Sequence, residues 1–237
     1  MKEQTLVEIQ KLIDAYNLLV KGIESKANED EDRAYGGIIR AGKGLLVENV
    51  AKKLIELTWN ELGTSKERLS LKKQTVKIPL NPQYLHKIKR KEIRNYIEEN
   101  IKEFYYTLKT DVHVYVDNQF AIGIECKAYT ENAMLKRILV DFTLFKSVFP
   151  NLNCVLFQLE SQLGGDYSQI SKDITFGSPS THTLMSYFDV DLHIITMLEG
   201  ERKVDKPIHK EEHFKELSIK SVIKAVELFK EMLKKYV

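Results

Sequence analysis

The stretch DVHVYVDNQFAIGIECK, residues 111–127, alternates apolar with polar or small residues at a period of two on either side of Asp-Asn-Gln. Such alternation around a turn-forming trio predicts a β-hairpin, with strands over 111–116 and 120–127. In the first strand Val112, Val114 and Val116 share one face, and Asp111, His113 and Tyr115 share the other. In the second, Phe120, Ile122, Ile124 and Cys126 lie opposite Ala121, Gly123, Glu125 and Lys127. A three-residue turn at 117–119 pairs Val116 with Phe120, Val114 with Ile122 and Val112 with Ile124, gathering the large apolar side chains on one side. A one-residue slip would bury the charges instead, so the pattern sets the register.

The same register places Asp111 across from Glu125, with Lys127 two residues further along that face. Cross-strand β-carbons lie roughly 4.5–5.5 Å apart, close enough for two carboxylates to share one ion. Carboxylates that close repel each other unless a cation offsets them. Magnesium is the natural candidate, because it takes one or two carboxylates together with water and phosphate oxygens. Lys127 would steady an attacking water or the charge developing on a phosphate, and Gly123 would leave the backbone open to a ligand. Asp117 sits in the turn, out of reach of Glu125. His113 shares the charged face, where a lone histidine more often packs or bonds locally. Glu-x-Lys also occurs at Glu24 to Lys26 and Glu201 to Lys203, but only the central copy lies in an expected strand with an acid opposite.

Outward from the hairpin, apolar positions at helical spacing predict a helix over residues 2–24, closed by the acidic ANEDED as an exposed connection. A second helix is expected from after Gly36-Gly37 to about Leu62, and a short strand within 71–80, held to an edge or end by Pro79. Residues 84–105 read as one long charged helix. After the hairpin, Thr130 caps a helix to about Phe149 with Met134, Ile138, Phe142, Phe145 and Phe149 along one side. CVLFQLE (154–160) is a strand buried on both faces, which a parallel crossover would join to the hairpin. A polar loop with three glycines follows, then a short helix capped by Ser178 with Pro179 in its first turn. A strand over 191–198 and an amphipathic C-terminal helix complete the chain. The fold class is α/β (α+β), with a central mixed β-sheet flanked by helices.

An Asp opening one strand, Glu-x-Lys in the next, then a helix and a buried strand resemble the PD-(D/E)XK nucleases, and most of all the type II restriction endonucleases. Thr110 stands where the pattern often has proline. The resemblance spans about residues 36–160. It implies magnesium-dependent hydrolysis of double-stranded DNA at a short sequence. Asp111 and Glu125 would be metal ligands, aided by the Cys126 carbonyl or by Glu48 on the preceding helix, and Lys127 would position water. It also implies a homodimer, since one site per chain must cut two strands. Nucleases of the same fold that act on DNA structure, and a DNA-binding protein without chemistry, are the alternatives.

The whole chain, 1–237, is expected to be a single nuclease domain with its core at about 36–200. The terminal helices (2–24 and 211–236) would serve as dimerisation or DNA-clamping additions. A net charge of +2 does not itself announce nucleic acid. The basic run holding Lys87, Lys89, Arg90, Lys91 and Arg94 is a candidate for phosphate contacts. Cys126 and Cys154 sit in apolar runs without metal-ligand spacing, as small core residues in a reducing compartment. The chain lacks a signal-like apolar start and a membrane-length apolar segment, so the cytoplasm is expected.

Overall fold

A computed structural model of the chain describes residues 1–27, 32–168, 177–208 and 210–237. Helix α1 (Glu3–Ala27) precedes the long helix α2 (Asp32–Leu62). Most of the acidic connection expected between them, residues 28–31, lies outside the described residues. α2 begins before Gly36-Gly37 rather than after it. Glycine in a helix interior costs about 1 kcal/mol, and the buried stripe of Val47, Val50, Ala51, Leu54 and Ile55 outweighs that.

Five strands form the main sheet in the order β1 (Leu69–Lys72), β4 (Val112–Val116), β5 (Gln119–Thr130), β6 (Asn153–Ser161) and β7 (Leu192–Thr196). β4 runs antiparallel to both β1 and β5, while β5, β6 and β7 are mutually parallel, so the sheet is mixed as expected. The parallel step from β5 to β6 is made by α4 (Asn132–Val148). On one face α1, α2 and the C-terminal α6 (Ile219–Leu233) pack against Val112, Val114, Ile122, Ile124, Val155 and Phe157. On the other, α4 seats Leu135, Ile138, Leu139, Phe142 and Phe145 against Phe120, Cys154 and Leu156, beside α5 (Pro179–Met185). The terminal helices, expected as additions, thus belong to the packed core. Tyr16 and Phe229 are almost wholly buried there.

The segment before the hairpin meets one expectation and departs from another. β1 ends at Lys72, and the short strand expected within 71–80 is β2 (Val76–Pro79), which pairs with β3 (Tyr105–Leu108) in a separate two-stranded sheet. Pro79, which has no N–H to donate, lies at the end of β2, as expected. The long helix expected over 84–105 is broken. Asn81 caps a 3-10 turn over Pro82–Lys87, Ile88 and Arg90 are extended, and α3 covers only Lys91–Glu99. The alternating charges of HKIKRKEIR conceal these breaks, and the β-forming run Tyr105–Leu108 directly after them continues the same apparent pattern.

At the hairpin tip the turn has two residues, not three. Asp117 and Asn118 both adopt positive φ (49° and 66°), the conformation that suits tight hairpins and that Asn and Asp tolerate best. Val116 therefore pairs with Gln119 and Tyr115 with Phe120. A bulge then restores the expected partners Val114 with Ile122 and Val112 with Ile124. Ala121 is the extra residue. As a result Phe120 packs on the α4 side, away from Ile122 and Ile124.

Downstream, Thr130 closes β5, and Glu131 rather than Thr130 occupies the cap position of α4. Ser178 caps α5 as expected, its hydroxyl accepting the Thr181 N–H, with Pro179 in the first turn. The polar loop before it is described only to Ser168 and from Gly177. Both cysteines are free and buried. No described helix is long and apolar enough to cross a membrane.

Candidate active site

The restored register carries Asp111 and Glu125 to the same end of the β4/β5 pair. β1 stops opposite His113, so the start of β4 has no neighbour on that side and Asp111 remains partly exposed. The Asp111 carboxylate accepts the backbone N–H of Cys126 at 2.8 Å, which ties it across the hairpin. Lys127 donates to Glu125 Oε1 at 2.5 Å and to the Cys126 carbonyl at 3.2 Å, and stands 3.7 Å from Asp111 Oδ2. Three oxygens, from Asp111, Glu125 and the Cys126 carbonyl, thus gather around one ammonium.

The electrostatics fit that crowding. Burial pushes the Glu125 carboxyl above the usual glutamate range; Lys127 opposes this, while Asp111 and Asp141 add to it. Burial alone would depress the Lys127 ammonium, but Glu125 and Asp111 more than offset it and hold the group above its ordinary value. Glu125 is therefore a carboxylate whose negative charge is incompletely answered where it sits.

Such a site suits a hard divalent cation. The donors are all oxygens, and a cationic group already occupies the space between them. The Cys126 side chain packs into the apolar core with Ile122 and Ile124, where burial, with help from the nearby carboxylates, raises its thiol pKa, so the carbonyl is the atom of that residue that faces Lys127. Among the described residues no three His, Cys, Asp or Glu side chains form a metal-binding group by themselves. The carbonyl and water would have to complete the set.

Glu48, on α2, reaches the edge of this group but turns toward lysines. Its Oε1 lies 3.1 Å from Lys73 Nζ, and its Oε2 lies 3.8 Å from Lys52 Nζ. Lys73 also stands 3.6 Å from Asp111 Oδ1, so it bridges the two acids. Neither Lys73 nor Asp141 is singled out by the sequence pattern. A signal for Asp141 is nonetheless present: it is an acid inside the apolar side of α4, between Ile138 and Phe142, and it pairs with Arg137 at 3.8 Å. Lys73 has no comparable signal, because its position depends on where β1 ends.

Two neighbours of the site do something other than expected. Gly123 is not open to a ligand. A β-carbon there would lie 3.2 Å from Phe142 Cε1 and 3.4 Å from Phe120 Cζ, so the missing side chain makes room for core packing. His113 is fully buried and stacks on Phe120 at 4.5 Å, with its Nε2 accepting the Thr110 N–H. Burial lowers its pKa to about 4, which keeps the ring neutral. Asp117 lies in the turn, where it pairs with Arg68 at 2.6 Å, a partner the sequence pattern did not indicate.

Lys87, Lys89, Arg90 and Lys91 are exposed and Arg94 is half-buried. They lie in the 3-10 turn, the extended link and the start of α3, and none forms an ion pair with a described residue.

No family model matches the chain. The type II restriction enzyme DdeI of Desulfomicrobium norvegicum is 50% identical over 238 residues, covering 98% of this chain and 99% of that protein. Among solved structures, the native BbvCI A2B2 tetramer resembles the chain at a TM-score of 0.34 and 9% identity, covering 97% of this chain and 89% of that one.

Proposed function

Because the chain belongs to the type II restriction enzymes and is a site-specific deoxyribonuclease, we propose that its phosphodiester cleavage takes place at Asp111, Glu125 and Lys127. The observation that carries this reading is the convergence of the Asp111, Glu125 and Cys126 oxygens on the Lys127 ammonium. Type II restriction enzymes generally use a divalent metal, and magnesium fits this all-oxygen donor set best. When bound, it would polarise the scissile phosphate and lower the pKa of a coordinated water.

The protein's own part follows from the contacts. Asp111 is aimed by the Cys126 N–H, and Glu125 is presented from the middle of a strand whose neighbours on both sides are paired. Lys127 is long enough to leave Glu125 once another cation answers that carboxylate. Its ammonium then holds the attacking water by hydrogen bonding or offsets the charge gathering on the phosphate oxygens. Glu48 acts one step back, through Lys73. The exposed cluster of Lys87, Lys89, Arg90 and Lys91, with Arg94, neutralises backbone phosphates of the duplex.

A single such site per chain would cut both strands of a symmetric target as a homodimer, with the two-fold axes of protein and DNA coinciding. Val7, Leu18 and Leu19 of α1 are apolar and exposed, an available surface for a second copy. The cytoplasm, where duplex DNA is reached, is the matching location.

The test is incubation of purified protein with plasmid and magnesium chloride, followed by mapping of the product ends. Discrete fragments, lost with Lys127→Ala and with chelator, are expected. Full cutting by Lys127→Ala would remove the assignment, and cleavage confined to junctions or flaps would point to a structure-specific nuclease.

A further inference from the structure

Asp111 is engaged on both of its oxygens by a different lysine. Oδ2 lies 3.7 Å from Lys127, on the side shared with Glu125, and Oδ1 lies 3.6 Å from Lys73, on the side shared with Glu48. Lys73 completes the second arrangement by standing 3.1 Å from Glu48 Oε1. A carboxylate that bridges two cationic positions, each closed by a further acid, is the layout of a two-metal phosphodiesterase site, in which the ions sit about 3.5–4 Å apart. Each position holds an ammonium of the chain, Lys127 in the first and Lys73 in the second, but the two differ in their surroundings: the first has a third oxygen, the Cys126 carbonyl, whereas the second has a further lysine, Lys52, beside Glu48.

We infer that Lys73 fills the place of a second cation between Glu48 and Asp111, so that each chain takes one divalent ion rather than two. The inference rests on the reading of Asp111 and Glu125 as metal ligands. Lys73 is itself exposed, and its pair of partners is what sets it apart from an ordinary surface ion pair. Lys73 links acids from two separate elements, α2 and the approach to β4. Its position follows from the fold: β1 stops at Lys72 opposite His113, and the next residue crosses the uncovered start of β4 where Asp111 lies. Glu48 is half-buried, and Lys52 is its other cationic neighbour, at 3.8 Å. Taking Lys73 away would leave Glu48 and Asp111 facing each other without the charge between them. A divalent ion could then enter.

Lys73 is on this view a positioning residue. It sets Glu48 and Asp111 for the reaction and touches neither the water nor the phosphorus. The variant Lys73→Met keeps the length of the side chain and removes its charge, whereas Lys73→Arg keeps the charge.

The experiment is titration of the full-length chain with Mn2+ alone, with free Mn2+ read by electron paramagnetic resonance and folding checked by thermal melting. The expected result is one ion per chain for the wild type and for Lys73→Arg, two for Lys73→Met, and loss of binding in Asp111→Asn. One ion for Lys73→Met at unchanged affinity overturns the role of Lys73 while leaving the Asp111 and Glu125 site standing. Two ions for the wild type overturn it equally. No binding to any well-folded variant overturns the metal site and the inference together. Should Lys73→Met melt before it can be titrated, Lys73→Gln takes its place with the same expected stoichiometry.

Discussion

Replacing Asp111 with Asn separates chemistry from folding, because the two carry very different weights at this residue. The amide keeps the shape, and its oxygen can still accept the Cys126 N–H now bonded at 2.8 Å. Converting that charge-assisted bond to a neutral one costs about 1 kcal/mol. The ion pairs to Lys73 and Lys127, at 3.6 and 3.7 Å and partly exposed, contribute about 0–1 kcal/mol each. Against these losses, removing the charge relieves its repulsion of Glu125, whose carboxyl Asp111 helps to push up. The net change in metal-free stability is therefore about 1–2 kcal/mol, or a melting shift of less than about 8 °C for a chain of this size. Activity should fall far more. Loss of one preorganised electrostatic group costs about 10²–10³-fold, ~3–4 kcal/mol, and a metal ligand should cost at least that. Single-turnover cleavage of plasmid in magnesium chloride, beside a thermal melt of the same preparation, measures both. An Asp111→Asn protein that cuts within about tenfold of wild type would refute the assignment; so would one that loses activity only because it is unfolded at the assay temperature.

The other expectations concern the surroundings of the site. His113, buried and neutral with a pKa of about 4 against 6.5 when unfolded, binds protons more readily in the unfolded chain. It therefore adds stability that is complete above pH 6.5 and lost as pH falls toward 4, by about 3 kcal/mol. Urea unfolding between pH 4 and 7 should show that loss in the wild type and a flatter profile in His113→Leu. Gly123→Ala places a methyl 3.2 Å from Phe142 and should destabilise the fold by about 1–3 kcal/mol, read as a lowered melting temperature. Replacing Arg90 and Lys91 together with Ala should weaken DNA binding alike on specific and non-specific duplexes. The slope of log affinity against log salt should decrease by about 1 for each phosphate no longer neutralised, as measured by fluorescence anisotropy.

The hairpin is legible in outline because a two-residue period is a direct statement about faces: the valines of β4 have to meet Ile122 and Ile124, and Asp111 has to follow them. The same reasoning fails at the tip, since periodicity counts residues and cannot tell a three-residue turn from a two-residue turn followed by a bulge. Both solutions restore the partners beyond Val114. They differ only from Gln119 to Ala121, and the aromatic packing decides between them. Phe120 leaves the apolar face of β5 and fills the space between His113, Phe145 and Phe149. Gly123 is what allows this, because any larger residue beside Phe120 and Phe142 would contest the same volume.

What stays hidden in the site has a common physical origin. Asp111, Glu125 and Lys127 belong to two strands joined by a short turn, so local pairing rules reach all three. Glu48 and Lys73 meet them only through tertiary packing. α2 must lie across the sheet before Glu48 arrives, and β1 must end opposite His113 before Lys73 can turn over Asp111. In the sequence Lys73 is one charge among many in a basic zone, although the fold commits it to two particular acids. Charge composition describes a solvated surface well, but it cannot distinguish a lysine with only water for a partner from an exposed lysine held between two acids. That distinction depends on the endpoint of a four-residue strand. A shift of β1 by one residue along β4 would move Lys73 away from Asp111 and leave the second cation position open.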